Sequence, residues 1–206
     1  VSRGLGDVYK RQIISTREEI LLIRNKVSKS LGEDEALIFD AHLMVLEDNA
    51  LITETVQHIE RNKQNVEYGF NLVVERYINF FKTIEDEYLR ERISDIKDVS
   101  RRVLNNLIGT DNNSIQSSKQ NRIIVSEDIT PSQAVGFDKN KLLGFITDTG
   151  GATSHFVIMS RSFKIPAVVG LHNATEKISQ SDYLLIDGYE GLVYINPTKD
   201  TIKEYD

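Results

Sequence analysis

One histidine in this sequence has a setting that suits covalent chemistry on its imidazole ring. Gly150 and Gly151 permit a sharp turn with close backbone approach. Thr153 and Ser154 are good N-cap residues, so His155 falls in the first turn of a helix. Free backbone N–H groups and the positive end of the helix dipole favour an anion there. The same potential favours a neutral, nucleophilic imidazole, and these are the properties that a phosphohistidine site requires.

The residues that follow are those of one short amphipathic helix. Val157, Ile158, Arg161 and Phe163 are spaced along it, with Ser160 beside Arg161, and Pro166 is expected to end it. Taken alone, a histidine in the first turn of a helix more often caps that helix or faces solvent. The local pattern leaves both interpretations open.

The first half of the chain repeats apolar residues at spacings of three and four, which is typical of helices. The spacing predicts helices over residues 13–31, 35–50 and 66–84, and a last helix that ends at Gly109. Helices of this kind pack as a bundle. Residues 110–120 are polar without an apolar period, and we expect them to form a linker.

Short β-branched or apolar runs separated by turns replace this pattern after the linker. We expect a short helix at Pro131 with Thr130 as its cap. The sequence therefore predicts an α+β protein of two parts, in which a helical bundle over 13–109 is joined to an α/β subdomain over 121–206. The predicted strands are 122–126, 142–147, 167–169, 183–187 and 191–195.

Composition limits the classes of function. The chain has 206 residues and no cysteine, which excludes disulfides and thiolate metal sites and suits a reducing cytosol, so we expect a cytoplasmic protein. No apolar run approaches the ~18 residues of a membrane span. A net charge of −6 argues against nucleic acid binding and indicates either a surface that faces water or a basic protein partner. The four histidines are scattered without metal-ligand spacing.

The run from residue 150 to 170 closely resembles the phosphohistidine motif of phosphoenolpyruvate-utilising enzymes. That motif combines Gly-Gly-x-Thr-Ser/Cys-His with a helix containing Ala/Ser-Arg and then Ile-Pro-Ala-Val-Val-Gly. Residues 36–51 and 85–109 resemble the helical subdomain of bacterial Enzyme I, the phosphoenolpyruvate–protein phosphotransferase of the sugar phosphotransferase system. The resemblance extends from about residue 13 to the C-terminus, roughly the first third of a complete Enzyme I, and leaves residues 1–12 unmatched.

The resemblance implies that the α/β part is a swivelling subdomain and His155 its phosphorylated histidine, with the phosphate passed to a histidine of the phosphocarrier protein HPr. It implies supporting roles for Gly150, Gly151, Thr153, Ser154 and Arg161. It also implies that HPr docks on the helical subdomain. The residues expected at that contact are His42, Met44, Val45, Asp48, Leu51, Phe81, Ile84, Tyr88, Leu89 and Arg92.

The family's C-terminal barrel, which binds phosphoenolpyruvate and Mg²⁺ and forms the dimer, is not matched by this sequence. The resemblance therefore implies no cofactor within this chain and makes the barrel its second partner. Mg²⁺ is expected only together with that barrel.

Three features depart from the family pattern. Ala152 stands where most members have Arg, and Ala134 where many have Thr to hydrogen-bond the resting histidine. Residues 1–12 stand where the family has its first strand, so the sheet is expected to be one strand short. Two alternatives stay open: the swivelling domain of a pyruvate phosphate dikinase-like enzyme, or a catalytically weak regulatory module that binds HPr.

Overall fold

The computed structural model describes residues 2–109, 121–151 and 155–205; the side chains of residues 2, 3, 87–91 and 155 lie outside that description. The chain divides into two compact units, Val1–Asn112 and Asn113–Asp206. The predicted linker, residues 110–120, lies outside the described residues.

The first unit is a helical bundle, which confirms the predicted class of this part. Helix α1 packs against each of the other four helices described in this unit, and α5 also packs against α2 and α4. The core contains buried side chains from all five, among them Val27, Phe39, Ile59, Phe70 and Val103. The helices are α1 (Ser2–Ser30), α2 (Glu33–Leu46), α3 (Asn49–Asn62), α4 (Val66–Lys82) and α5 (Glu87–Ile108).

Helix α1 begins at Ser2, so the predicted start at Ile13 is wrong. The reason is that the early turns bury apolar surface. Tyr9 is fully buried, and its ring centroid lies 5.6 Å from that of Phe70 in α4. The N-terminal residues therefore extend the first helix.

The single helix predicted over residues 35–50 is also wrong, because two helices meet there. Helix α2 ends at Leu46, and the Asp48 carboxylate accepts a hydrogen bond from the backbone N–H of Leu51 at 2.9 Å. This is the N-cap of α3, a helix that the apolar spacing did not predict. Its buried residues are Leu51, Thr55 and Ile59, so a polar residue interrupts its apolar stripe.

The second unit is the α/β part. Strands β1, β2 and β3 form a parallel sheet in that order, with Ile124 opposite Phe145 and Ile146 opposite Val168. Strands β4 and β5 form an antiparallel pair. The strands are β1 (Arg122–Ser126), β2 (Leu142–Thr147), β3 (Ala167–Val168), β4 (Leu184–Asp187) and β5 (Leu192–Ile195), each within one residue of its predicted bounds.

Short helices connect these strands. The Thr130 side chain caps α6 in a capping box with Gln133, which confirms the predicted helix at Pro131. A 3-10 helix over Lys139–Lys141 leads into β2. The α-helices are α6 (Pro131–Gly136), α7 (His155–Phe163), α8 (Ala174–Lys177) and α9 (Lys199–Glu204). In neither unit does a described helix combine the length and apolarity needed to cross a bilayer.

Candidate functional site

His155 is the first residue of α7, as the sequence predicts. The helix packs through Phe156 and Met159, which are both buried, and the Phe156 ring lies edge-on to Phe145 of β2 with centroids 4.8 Å apart. Ile158 is exposed, so its expected place on the apolar face is wrong. The helix faces inward through residues 156, 157, 159 and 160, and Arg161 is on the exposed side.

The helix ends close to the predicted stop. Lys164 takes a left-handed backbone conformation with φ 57°, and the Ile165 N–H donates to the Ser160 carbonyl at 3.1 Å. Pro166, which cannot continue a helix, then leads into β3. Helix α7 is thus packed on β2 and ends before Pro166. Its first turn, which contains His155, directly follows the glycine loop.

Glycine is required at two places near the start of α7, one in the loop before this helix and one in the segment after β3. Gly150 has φ 101° and Gly170 has φ 77°, values that favour glycine. A Cβ atom placed on Gly170 would lie 3.1 Å from the Gly150 carbonyl oxygen, so the two loops meet at a distance that suits a residue without a side chain. Gly151 follows and is exposed. Ala152, Thr153 and Ser154 lie outside the described residues, as does the ring of His155.

Asp148 supports this loop and was not singled out from the sequence. Its carboxylate is 5% exposed and accepts hydrogen bonds from the backbone N–H groups of Ala174 and Thr175 and from the Thr175 hydroxyl. The Thr175 hydroxyl, aided by these N–H groups, lowers the pKa of Asp148 below its usual value of 3.8. In the sequence, the only local indication of this role of Asp148 is its place between a predicted strand and the two glycines.

Ala134 is buried in α6. It therefore offers a methyl group where the resemblance implies a threonine hydroxyl.

The helical unit contains an apolar groove of about 250 Å³. It unites six residues that the resemblance assigned to HPr docking: Met44, Val45, Asp48, Leu51, Phe81 and Arg92. Tyr77 and the buried Ile96 line it as well. The groove combines residues from α2, α3, α4 and α5, and apolar spacing along one helix does not give that combination. We call these eight residues the docking groove.

The other predicted docking residues have different surroundings. Ile84 is half-buried just after α4, and the side chains of Tyr88 and Leu89 lie outside the description. Within the groove, Met44 is 67% exposed, whereas Leu51 is only 5% exposed and belongs to the core. The resemblance places Leu51 at the HPr contact, but α3 turns its side chain inward, so only a small part of it faces the groove.

His42 does not lie on the docking surface, so that prediction is wrong for its side chain. It is 1% exposed, with Nε2 3.5 Å from Asp95 Oδ1 and Nδ1 3.8 Å from Asp98 Oδ2. Nε2 has no hydrogen-bond partner among the described residues. The imidazole faces α5 from within the bundle because His42 shares the inward stripe of α2 with Phe39 and Leu46. Within the described ranges, no group of three or more acidic or histidine side chains could hold a metal ion.

Two family models match the chain. The model described as "PEP-utilising enzyme, N-terminal" matches residues 8–92, and the model described as "PEP-utilising enzyme, mobile domain" matches residues 118–191. The second range includes the glycine loop and α7. A solution NMR structure of Enzyme I is 36% identical, has a TM-score of 0.72, and is matched over 99% of this chain and 82% of its own length.

This chain belongs to the Enzyme I family. The phosphoenolpyruvate-protein phosphotransferase of Listeria monocytogenes is 42% identical over 191 residues, and that of Mycoplasma capricolum is 38% identical over 213 residues. These alignments cover 93% and 97% of this chain, but only 33% and 37% of the relatives. The chain therefore spans about a third of the length of the curated relatives it matches.

A more distant structure shares the fold. The N-terminal domain of Enzyme 1 - Nitrogen is 22% identical, with a TM-score of 0.60 over 99% of this chain and 83% of its own. The arrangement of helical and α/β elements is thus retained in a protein with few identical residues.

Proposed function

We propose that this Enzyme I chain carries a phosphoryl group on His155 and passes it to a histidine of HPr. The observation that supports this best is the position of His155 as the first residue of α7, inside the range matched by the mobile-domain model. The relatives' name, phosphoenolpyruvate-protein phosphotransferase, supplies the donor and the acceptor class.

The proposed chemistry is two in-line transfers. An imidazole nitrogen of His155 attacks phosphorus, a P–N bond forms, and the P–O bond to the enol oxygen of phosphoenolpyruvate breaks to leave pyruvate enolate. A nitrogen of the HPr histidine then attacks, so that its own P–N bond forms while that of His155 breaks. Such reactions depend mainly on positioning and charge stabilisation, which the free N–H groups of the first helical turn can supply.

HPr is proposed to dock at the groove of the helical unit. An exposed methionine over an apolar floor suits a partner surface that must adapt. Asp48 lines the groove, and the exposed Glu85 and Asp86 follow α4 in the chain, which gives this region an acidic character. An apolar centre with a charged rim is ordinary interface anatomy, and the acidic charge suits the basic face that the family resemblance implies for HPr.

The phosphoenolpyruvate and Mg²⁺ sites are proposed to belong to the C-terminal barrel implied by the family resemblance, acting in the cytosol. No observation favours the dikinase-like alternative. The buried Ala134 is compatible with a slower enzyme and also with a regulatory module, and the rate of transfer separates these two.

The test is phosphoryl transfer from HPr labelled on its histidine with ³²P. We expect one acid-labile, base-stable label on the chain, located on His155 by mass spectrometry and absent from His155→Ala. His58→Ala is the control, because His58 is a half-buried histidine of the helical unit and takes no part in the glycine loop. Label retained by His155→Ala, or no label on the parent chain, would overturn the proposed function.

A further inference from the structure

The end of β2 is tied to the end of β1. The Asp148 N–H donates to the Ser126 carbonyl at 3.2 Å, and the Thr149 N–H donates to the Glu127 carbonyl at 2.9 Å. The Thr149 hydroxyl donates to that same Glu127 carbonyl at 2.9 Å. These contacts hold one side of the segment that leads to the glycine loop.

The segment that follows β3 holds the other side. The N–H groups of Gly170, Leu171 and His172 donate to the carbonyls of residues 149, 147 and 148 at 3.3, 3.1 and 2.9 Å. The backbone that precedes Gly150 is thus fixed between two neighbouring segments of the same unit.

The Asp148 carboxylate adds side-chain hydrogen bonds to these backbone contacts. Its oxygens accept from the N–H of Thr175 at 3.3 Å, and also from the N–H of Ala174 and the hydroxyl of Thr175. Asn173, which precedes α8, makes no side-chain capping bond, so Asp148 caps that helix from a distant part of the chain. Burial and four donor contacts leave this carboxylate a single well-defined position.

We propose that Asp148 is a positioning residue for phosphoryl transfer, acting on His155 through the glycine loop. The inference rests on the proposed function of His155. Gly150 and Gly151 have more backbone freedom than other residues and cannot fix the start of α7 by themselves. The hydrogen bonds of Asp148 fix the chain shortly before these glycines, and the packing of Phe156 on Phe145 fixes the chain after them. Small displacements of a reacting group are costly for a reaction that depends on alignment.

The test compares variants by the rate of label transfer from ³²P-HPr to His155. Asp148→Asn keeps the size of the side chain but replaces one acceptor oxygen with a donor amide. Thr175→Val removes one donor and keeps the shape, and Thr175→Ser restores the hydroxyl. Asp182→Asn is the control, because Asp182 also accepts from a backbone N–H (Ser179, 2.7 Å) and a side chain (Asn196, 2.9 Å) away from the loop.

We expect at least a tenfold lower transfer rate at saturating HPr in Asp148→Asn, a smaller loss in Thr175→Val, and the parent rate in Thr175→Ser and Asp182→Asn. The HPr concentration at half-saturation should stay unchanged, because the groove belongs to the other unit. A merely structural role would not divide the two kinetic parameters in this way. Amide exchange at Gly150 and Gly151 should accelerate in Asp148→Asn and stay at the parent rate in Asp182→Asn.

Parent-like transfer in folded Asp148→Asn would overturn the inference while the proposed function stands. If Asp148→Asn does not fold, the Thr175 pair decides: equal rates for Thr175→Val and Thr175→Ser would overturn it. A parent chain that takes no label on His155 refutes the proposed function, and this inference with it.

Discussion

His42 illustrates how burial changes the role of a titratable side chain. Its ring lies between Asp95 and Asp98, with all three side chains at most 5% exposed. Carboxylates in a protein interior need donors or positive charge nearby, and an imidazole has a nitrogen directed toward each of them. His42 therefore contributes to the packing of α2 on α5, which carry two sides of the docking groove.

We expect His42→Ala to lower the free energy of unfolding by roughly 3 kcal/mol, because it leaves a cavity and removes the neighbour shared by two buried carboxylates. Urea denaturation at pH 7 measures this. His58→Ala is the control, because His58 lies nearer the surface, where its ring bonds Gln64 at 2.9 Å. At a temperature where both variants are folded, HPr affinity should match the parent. A large loss of affinity with unchanged stability would instead support direct contact between His42 and HPr.

For single residues, the sequence predicted positions that depend on the local pattern of neighbouring residues. The place of His155 at the start of α7 follows from the glycines and cap residues before a helix, whereas Met44 was named through the family resemblance. His42 and Asp148 could not be placed in this way, since a lone histidine or aspartate has no local signal for burial. Their contacts join segments well separated in sequence, such as Asp148 with Thr175.

At the level of helices and strands, the junction of α2 and α3 limits which residues of the docking groove can be substituted in a test. Asp48 both lines the groove and caps α3, so its replacement changes helix stability as well as charge. Leu51 lines the groove from the core, and a charge placed there would be buried. Met44 is the groove residue whose exposure allows substitution without disturbing the bundle.

We expect Met44→Asp to weaken HPr binding at least tenfold, with an unchanged melting temperature, because it places a charge at the apolar centre of the groove. Leu37→Asp is the matched control, since Leu37 is 57% exposed on the same helix and does not line the groove. Asp48→Lys should slow association, reduce its salt dependence and cost about 1 kcal/mol of stability through the lost cap. Calorimetry and stopped-flow mixing at two salt concentrations measure these changes. Equal affinities for Met44→Asp and Leu37→Asp would place the docking site elsewhere.

The predicted bounds of helices and strands agree with the structure where the apolar period is long or where turn and cap residues are clear. Strands β1 and β2 have the predicted bounds, and Thr130 and Pro131 mark the start of α6. The start of α1 was missed because its stability there depends on the tertiary burial of Tyr9. Helix α3 was missed although Leu51, Ile52, Val56 and Ile59 recur at helical spacing. Burial also raises the pKa of the Tyr9 phenol to about 12.

On the scale of the whole chain, the docking groove belongs to one compact unit and the glycine loop with α7 to the other. The proposed function thus assigns partner recognition and phosphoryl chemistry to separate cores. Substitutions in one core should leave the property of the other intact, which is why the docking and positioning experiments can be interpreted independently.

The proposed function also predicts which phosphoryl donor these 206 residues can use. The proposed function assigns the phosphoenolpyruvate and Mg²⁺ sites to the C-terminal barrel, which supplies basic groups for the phosphate and oxygen ligands for the metal. We therefore expect labelled phosphoenolpyruvate with Mg²⁺ to leave the chain unlabelled, whereas labelled HPr phosphorylates it. A separately added C-terminal barrel of Enzyme I should restore little labelling, since the effective concentration provided by a covalent link is missing. Label transferred from phosphoenolpyruvate to His155 of the chain alone would show that the donor site lies within these residues.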